Sequence, residues 1–152
     1  MAKLFETSAD IIELAENKFD ETTLSDLGIN LKVISTAKAK TILKVQRANA
    51  TTNFITKKDI ILTVYEEAFD RLTDEHKNLL MEGALSNISY DTEKDKLNVE
   101  MDFAKEIFRM RRKYPNYVDI AEESYIVIEQ IEDEERQRKE AAKLAKKDKK
   151  NK

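Results

Sequence analysis

The chain contains no cysteine, and this absence excludes several kinds of chemistry. Without thiols there is no disulfide framework, no thiolate metal site and no cysteine nucleophile. A small domain that folds without disulfides fits a reducing compartment. We therefore expect a cytoplasmic protein.

Glycine and proline are also scarce, with 2 Gly and 1 Pro in 152 residues. So few chain breakers leave little room for the many tight turns of a β-sandwich or barrel. The sequence contains no phosphate-binding loop, no dinucleotide-binding glycine pattern and no nucleophile elbow. A chain of this length corresponds to a single domain.

Long apolar runs are absent as well. No stretch approaches the ~20 apolar residues of a membrane-spanning helix. The first thirteen residues contain Glu6, Asp10 and Glu13, and no basic segment precedes an apolar run. The sequence therefore predicts neither a membrane span nor a secretory signal.

The first half of the chain predicts one helix and three strands. A helical apolar stripe follows Ser8, a residue type that caps helices; it consists of Ile11, Ile12, Ala15 and Phe19. Residues 29–34, 41–45 and 59–65 have the apolar pattern of strands. The polar segments 35–40 and 48–58 are predicted to be loops.

The second half predicts mostly helix. Thr73 followed by two acids is typical of a helix N-terminus, and residues 90–99 contain a turn that joins two short strands. Asp102 begins a helix that ends before Pro115. Its residues predicted to face the core are Phe103, Ile107, Phe108 and Met110.

A long helix is predicted from Val118 onward, and its apolar stripe ends at Ile131. We therefore expect residues 1–131 to form one α+β domain, a small sheet packed by three or more helices. Residues 132–152 are expected to form a charged helical extension that is partly frayed.

Residues 59–113 run in the order strand, acidic turn, helix, turn, helix. The segments that carry this order are Ile60–Leu80 (IILTVYEEAFDRLTDEHKNLL), Met81–Leu85 (MEGAL) and Tyr90–Leu97 (YDTEKDKL). The pattern resembles the phage-encoded metallopeptidases, a zincin-like family, over about the central third of the chain. The resemblance implies a zincin-like centre with an H-E-x-x-H motif on the first of these helices.

In that motif two histidines one helical turn apart bind zinc, and the glutamate acts as general base. Glu82 matches the glutamate, but Met81 and Leu85 stand in the histidine positions and Met101 near the third ligand. His76 is the only histidine of the chain. We therefore expect a vestigial site that has become packed core, with no metal, no cofactor and no peptidase activity.

The resemblance then implies a phage protein that acts by binding another protein, as a host-factor antagonist or a virion or assembly accessory. It would lie in the host cytoplasm, or be associated with the virion. If the ancestral cleft is kept, the strand at 59–65 is expected to be an edge strand that pairs with an extended peptide. The candidate partner-binding residues are Ile60, Leu62, Val64, Arg109, Arg111 and Arg112.

Two other functions stay open. Glu82, Asp91, Glu100 and Asp102 would make a hydrolase if they converged on a hard cation such as magnesium or calcium. A nucleic-acid accessory protein would use the basic cluster Arg109, Arg111 and Arg112 together with the Lys-rich tail at 139–152.

Overall fold

The structure is a computed structural model that describes residues 3–151. This range is α+β, as predicted. The helices are α1 (Ala9–Asp20), α2 (Ala50–Thr56), α3 (Glu66–Asp70), α4 (Asp74–Leu85), α5 (Phe103–Lys113) and α6 (Tyr117–Lys150). The strands are β1 (Leu4–Phe5), β2 (Leu31–Thr36), β3 (Leu43–Arg47), β4 (Ile60–Tyr65), β5 (Ile88–Asp91) and β6 (Lys96–Val99).

Four strands form one mixed sheet in the order β1-β2-β4-β3. β2 and β4 are parallel, with Leu31 opposite Ile60, whereas β3 runs antiparallel to β4, with Leu43 opposite Val64. β5 and β6 form the separate hairpin predicted at residues 90–99, and its first strand begins two residues earlier.

The prediction that the strand at 59–65 lies at a sheet edge is wrong. β4 is bonded on both sides, and Ile60, Leu62 and Val64 are each 0% exposed, so none of them can contact a partner. An apolar run rich in β-branched residues is typical of a central strand. The true edge beside it is β3, whose exposed Lys44 carries the charge that edge strands usually have.

The predicted loop at 48–58 contains the helix α2. The Asn49 side chain accepts a hydrogen bond from the Thr52 amide at 2.7 Å and so caps the helix N-terminus. This cap satisfies an otherwise unpaired donor and outweighs the low helix propensity of the threonines. Lys57 ends the helix in the left-handed conformation at φ 61°.

The core lies between the sheet and the helices α1, α4 and α6. α1 contributes Ile11, Ala15 and Phe19, as predicted. In α5, however, Phe103 and Phe108 are 46% and 62% exposed and do not face the core as expected. Only Met110 of that helix is buried, and the Arg112 guanidinium lies 4.6 Å from the Phe108 ring centroid, which shields the ring from one side.

α6 is the long charged helix that the sequence predicts. Its buried residues include the predicted stripe Ile120, Ser124, Val127, Ile128 and Ile131. Beyond Ile131 nearly every side chain is exposed, yet the helix continues unbroken to Lys150 within the described residues. Arg71 anchors the first turn of this extension through two hydrogen bonds to Glu134, at 2.6 and 3.1 Å.

Within residues 3–151, none of the helices combines the length and the apolar content that a membrane span requires.

Candidate functional site

A cleft of about 310 Å³ opens between β3, α4 and the first turns of α5 and α6. We call it the β3 cleft. Its wall is mostly apolar, and the polar side chains in it are Thr41, Lys44, Asn87, Asp102, Glu106 and Ser124. The apolar side chains that define it are Leu43, Leu80, Ala84, Met101, Phe103 and Tyr125. A concave apolar surface with a few polar groups is the usual form of a binding site.

The aromatic rim of the cleft is open to solvent. Phe103 and Tyr125 are 46% and 39% exposed, and their rings meet edge to face at a centroid distance of 5.6 Å. Met101 beside them is 44% exposed. Rigid aromatic side chains and methionine are enriched where proteins bind one another.

The backbone of β3 turns hydrogen-bonding groups toward this side. The Ile42 carbonyl accepts from the Tyr65 amide at 2.8 Å, and the Ala48 amide donates to the Asp59 carbonyl at 2.9 Å. Because antiparallel pairing alternates, the even-numbered residues of β3 face β4 and Leu43, Val45 and Arg47 point away from it. β6 lies against β3, and residues 41–44 line the cleft. Leu43 is therefore the residue of β3 that both borders the cleft and has its backbone amide and carbonyl directed away from β4.

A hydrogen-bonded network forms one side of the cleft. The Asn87 side chain, on a residue that is 4% exposed, donates to Glu106 Oε1 at 2.8 Å and accepts from Arg109 at 2.6 Å. The Tyr117 hydroxyl donates to Glu106 Oε2 at 2.9 Å. Burial and the neighbouring Glu106 carboxylate raise the pKa of Tyr117, so the phenol stays neutral and donates.

Gly83 on α4 leaves the space that the Tyr117 side chain of this network occupies. A Cβ built there would lie 1.9 Å from the Tyr117 hydroxyl oxygen and 2.7 Å from its Cζ. Tyr117 is fully buried and its hydroxyl is bonded to Glu106, so the ring cannot easily move aside. Glycine is therefore required by a side chain that approaches the helix closely.

The residues of the proposed vestigial site differ in burial. Met81 and Leu85 are 0% and 2% exposed and belong to the core, as expected. Met101 is half-exposed at the cleft, so the expectation that it has become core is wrong; it follows β6 in the connection to α5, outside the packed helices. Glu82 does not line the cleft.

Glu82 instead forms an ion pair between helices. Lys113 at the end of α5 donates to Glu82 Oε1 at 2.6 Å. Burial disfavours the carboxylate, but hydrogen bonding from Lys113 and the Tyr114 hydroxyl outweighs it, and the pKa of Glu82 is lowered. In this structure Glu82 connects α4 to α5.

The four carboxylates considered for a cation site do not converge. Glu82 pairs with Lys113, Glu100 with Lys105, and Asp102 caps α5 by accepting from the Lys105 amide. Asp91 accepts two amides of the turn after β5. No group of three or more His, Asp or Glu among residues 3–151 is arranged to hold a metal ion.

The basic residues considered for nucleic-acid binding lie in two different environments. Arg109 is bonded to Asn87 and belongs to the network, whereas Arg111 and Arg112 are exposed on α5. The Lys-rich tail is an exposed helix as far as Lys150. Sequence reasoning missed Asn87, Glu106 and Tyr117; the one available signal was the glycine in the middle of a helix.

Comparison with known proteins gives no match: no family model, no curated protein and no solved structure is similar to this chain at a significant level.

We predict that Gly83→Ala destabilises the fold. Overpacking costs about 1–3 kcal/mol, and the better helix propensity of alanine returns about 1 kcal/mol, so a net loss of up to about 2 kcal/mol is expected in chemical denaturation. In a Tyr117→Phe background the same change should cost less, because the hydroxyl at 1.9 Å is gone. Equal costs in both backgrounds would contradict the proposed contact.

We predict a pH-dependent loss of stability for Glu82→Gln. Because the pKa of Glu82 is lowered in the folded chain, its stabilising effect is present at neutral pH and disappears as the pH falls through that pKa. The variant should be less stable than the parent by about 1 kcal/mol or less at pH 7, and the two should converge in acid. Glu122→Gln, on an exposed position, is the control, and a difference that grows in acid would refute the assignment.

Proposed function

We propose that this chain is a catalytically inactive, metallopeptidase-like phage protein that acts by binding a protein partner in the β3 cleft. The observation that carries the proposal is the coincidence of an apolar cleft, an exposed aromatic rim and the outward backbone of Leu43. An apolar side chain of the partner would fill the cleft, and its backbone would pair with Leu43.

The chemistry of the cleft favours binding over hydrolysis. Asn87 and Glu106 are already satisfied by Arg109 and Tyr117, and Asp102 is engaged as a helix cap. Hydrolysis needs a polarised water and a base that reaches it. The kinship with the zincin-like peptidases and the role as host-factor antagonist or assembly accessory rest on the quoted sequence match alone.

The Lys-rich end of α6 is the basis of the nucleic-acid alternative, which we rank second. Its lysines are exposed, but some charge is offset nearby, since Lys139 lies 3.8 Å from Glu135 and Arg136 pairs with Asp133. Pairs of this kind stabilise the helix without any partner.

The proposal is tested by selecting binders from a library of random extended peptides against the immobilised protein. We expect the selected peptides to share an apolar residue and to lose at least about tenfold in affinity for the double variant Met101→Lys, Phe103→Lys. Added charge at the rim opposes entry of an apolar group. N-methylation of the peptide backbone at alternate residues should also weaken binding, because it removes the strand-pairing donors.

Phe108→Lys is the matched control, since Phe108 is an exposed aromatic residue on the same helix outside the cleft. It should leave the affinity unchanged. Peptides that bind the double variant as tightly as the parent, or a selection that yields no binder, would overturn the proposal.

A further inference from the structure

The helix α2 lies in an uncharged segment of a highly charged chain. Charged residues make up 38% of the sequence, yet residues 48–56 contain none, and no other uncharged run is as long. Within this run Phe54 and Ile55 are 76% and 72% exposed, more than any other large apolar side chain in the part of the chain that the structure describes. We call this pair the α2 knob. Adjacent apolar side chains left in water mark a contact with a protein or a membrane.

The α2 knob lies on the outer side of its helix. Asn53 Nδ2 donates to the Lys58 carbonyl at 2.8 Å and to Asp59 Oδ1 at 3.0 Å, so the Asn53 side of α2 faces the protein. At 3.6 residues per turn, Ile55 lies about 200° around the helix from Asn53 and Phe54 about 100°. Because these bonds fix α2, little conformational freedom remains to be lost when the knob is buried.

Three cations border α2 in the sequence. Arg47 precedes the helix, and Lys57 and Lys58 follow it. None of the three forms an ion pair with a carboxylate of residues 3–151. The Lys57 ammonium lies 4.9 Å from the Phe54 ring centroid. Lys57 has the left-handed conformation, at φ 61°, in which glycine is the usual residue, so a cation is kept beside the knob at a backbone cost.

Asp59 is the carboxylate that follows α2, and it is held on the inner side of the helix. Its Oδ1 accepts from Asn53 and its Oδ2 accepts from the Asn30 amide at 2.8 Å. Both donors are neutral, so the negative charge remains. With Asp59 counted, residues 47–59 contain three cations and one carboxylate and carry a net charge of +2. The surroundings of the knob are therefore cationic.

From these observations we propose that the α2 knob inserts into the surface of an anionic lipid bilayer. Phe54 and Ile55 would enter the boundary between the headgroups and the acyl chains, where the apolar face of an interfacial helix is buried. Arg47, Lys57 and Lys58 would lie among the headgroups and be attracted by the anionic lipids. The lysine stems can extend along apolar side chains while their ammonium groups stay in water.

A bilayer fits the knob better than a protein does. The knob is two protruding side chains on a helix of 7 residues, whereas a standard protein interface buries about 800 Å² on each partner. Lysine is depleted at protein interfaces, and here Lys57 lies against the exposed ring of Phe54. A bilayer also needs no pocket that matches the two side chains.

The proposal goes beyond the proposed function and does not depend on it. The β3 cleft is lined by residues 41–44, at the start of β3, whereas α2 lies beyond the end of that strand. Membrane binding and peptide binding can therefore be measured, and can fail, separately.

Insertion is tested with a fluorescent reporter, because the chain contains no tryptophan. In Phe54→Trp the emission should shift to shorter wavelength with vesicles of phosphatidylglycerol and phosphatidylcholine in equal parts, and brominated acyl chains should quench it. Phe108→Trp, at another exposed aromatic position, is the matched control and should show neither effect. Both effects should weaken with phosphatidylcholine alone and at high salt, because salt screens the attraction between surface charges.

Co-sedimentation of the full chain with the same anionic vesicles tests the apolar contribution. Phe54→Ser with Ile55→Ser should weaken binding by at least about tenfold, because the apolar area of both side chains is no longer removed from water. Leu144→Ser, at an exposed apolar position of α6, is the control and should bind as the parent does.

The same measurement tests the charges. Arg47→Gln with Lys57→Gln should weaken binding by about 30-fold, at about fivefold for each cation near the surface. Lys94→Gln with Lys96→Gln removes two exposed cations from the β5–β6 hairpin and should leave binding unchanged.

Three results would contradict the proposal. The first is an emission in Phe54→Trp that anionic vesicles do not shift, which would leave a protein as the occupant of the knob. The second is binding that survives Phe54→Ser with Ile55→Ser, which would place the contact elsewhere, such as at the Lys-rich end of α6. The third is equal binding to anionic vesicles and to phosphatidylcholine alone, which would exclude a role of the cations.

Discussion

The hydroxyl of Tyr117 lies against Gly83 and donates to Glu106, which in turn accepts from Asn87. These bonds fix the spacing between α4, α5 and α6. The space that remains between these helices and β3 is the β3 cleft. The network is partly buried, and the donors of Tyr117, Asn87 and Arg109 each have an acceptor, so its members support one another. The shape of the cleft depends on this close approach of a tyrosine to a helix that has no side chain at that point.

α4 therefore has two distinct faces. One carries Leu80 and Ala84 into the cleft, and the other places Glu82 against Lys113. The glutamate that resembles a peptidase base is on the face away from the cleft and acts as half of an ion pair. A binding role for the protein is consistent with this division, because the concave surface carries apolar groups and a satisfied network rather than a free base.

Local signals in the sequence predict the helices and strands well, because caps and apolar periodicity act over a few residues. Thr73 and Asp102 begin helices as expected, each accepting a hydrogen bond from an amide three residues on. The order of strands depends on pairing between distant segments and was not predictable, but the apolar, β-branched run of β4 was a local sign of a central strand that was overlooked. The hydrogen-bonded network was not predictable either, because its members are up to 30 residues apart in the sequence. Its only local sign was Gly83 in the middle of a helix. Asn49 was a local signal that was overlooked.

We propose that the β3 cleft receives a partner beside the outward backbone of Leu43. Amide hydrogen exchange, measured residue by residue with and without a peptide selected against the cleft, tests this most directly. In the free protein the backbone amide of Leu43 should exchange faster than that of Lys44, because of the two only the Lys44 amide is directed toward β4. When the peptide binds, the Leu43 amide should become protected. A Leu43 amide that exchanges equally fast in both states, while the peptide is bound, would contradict the account.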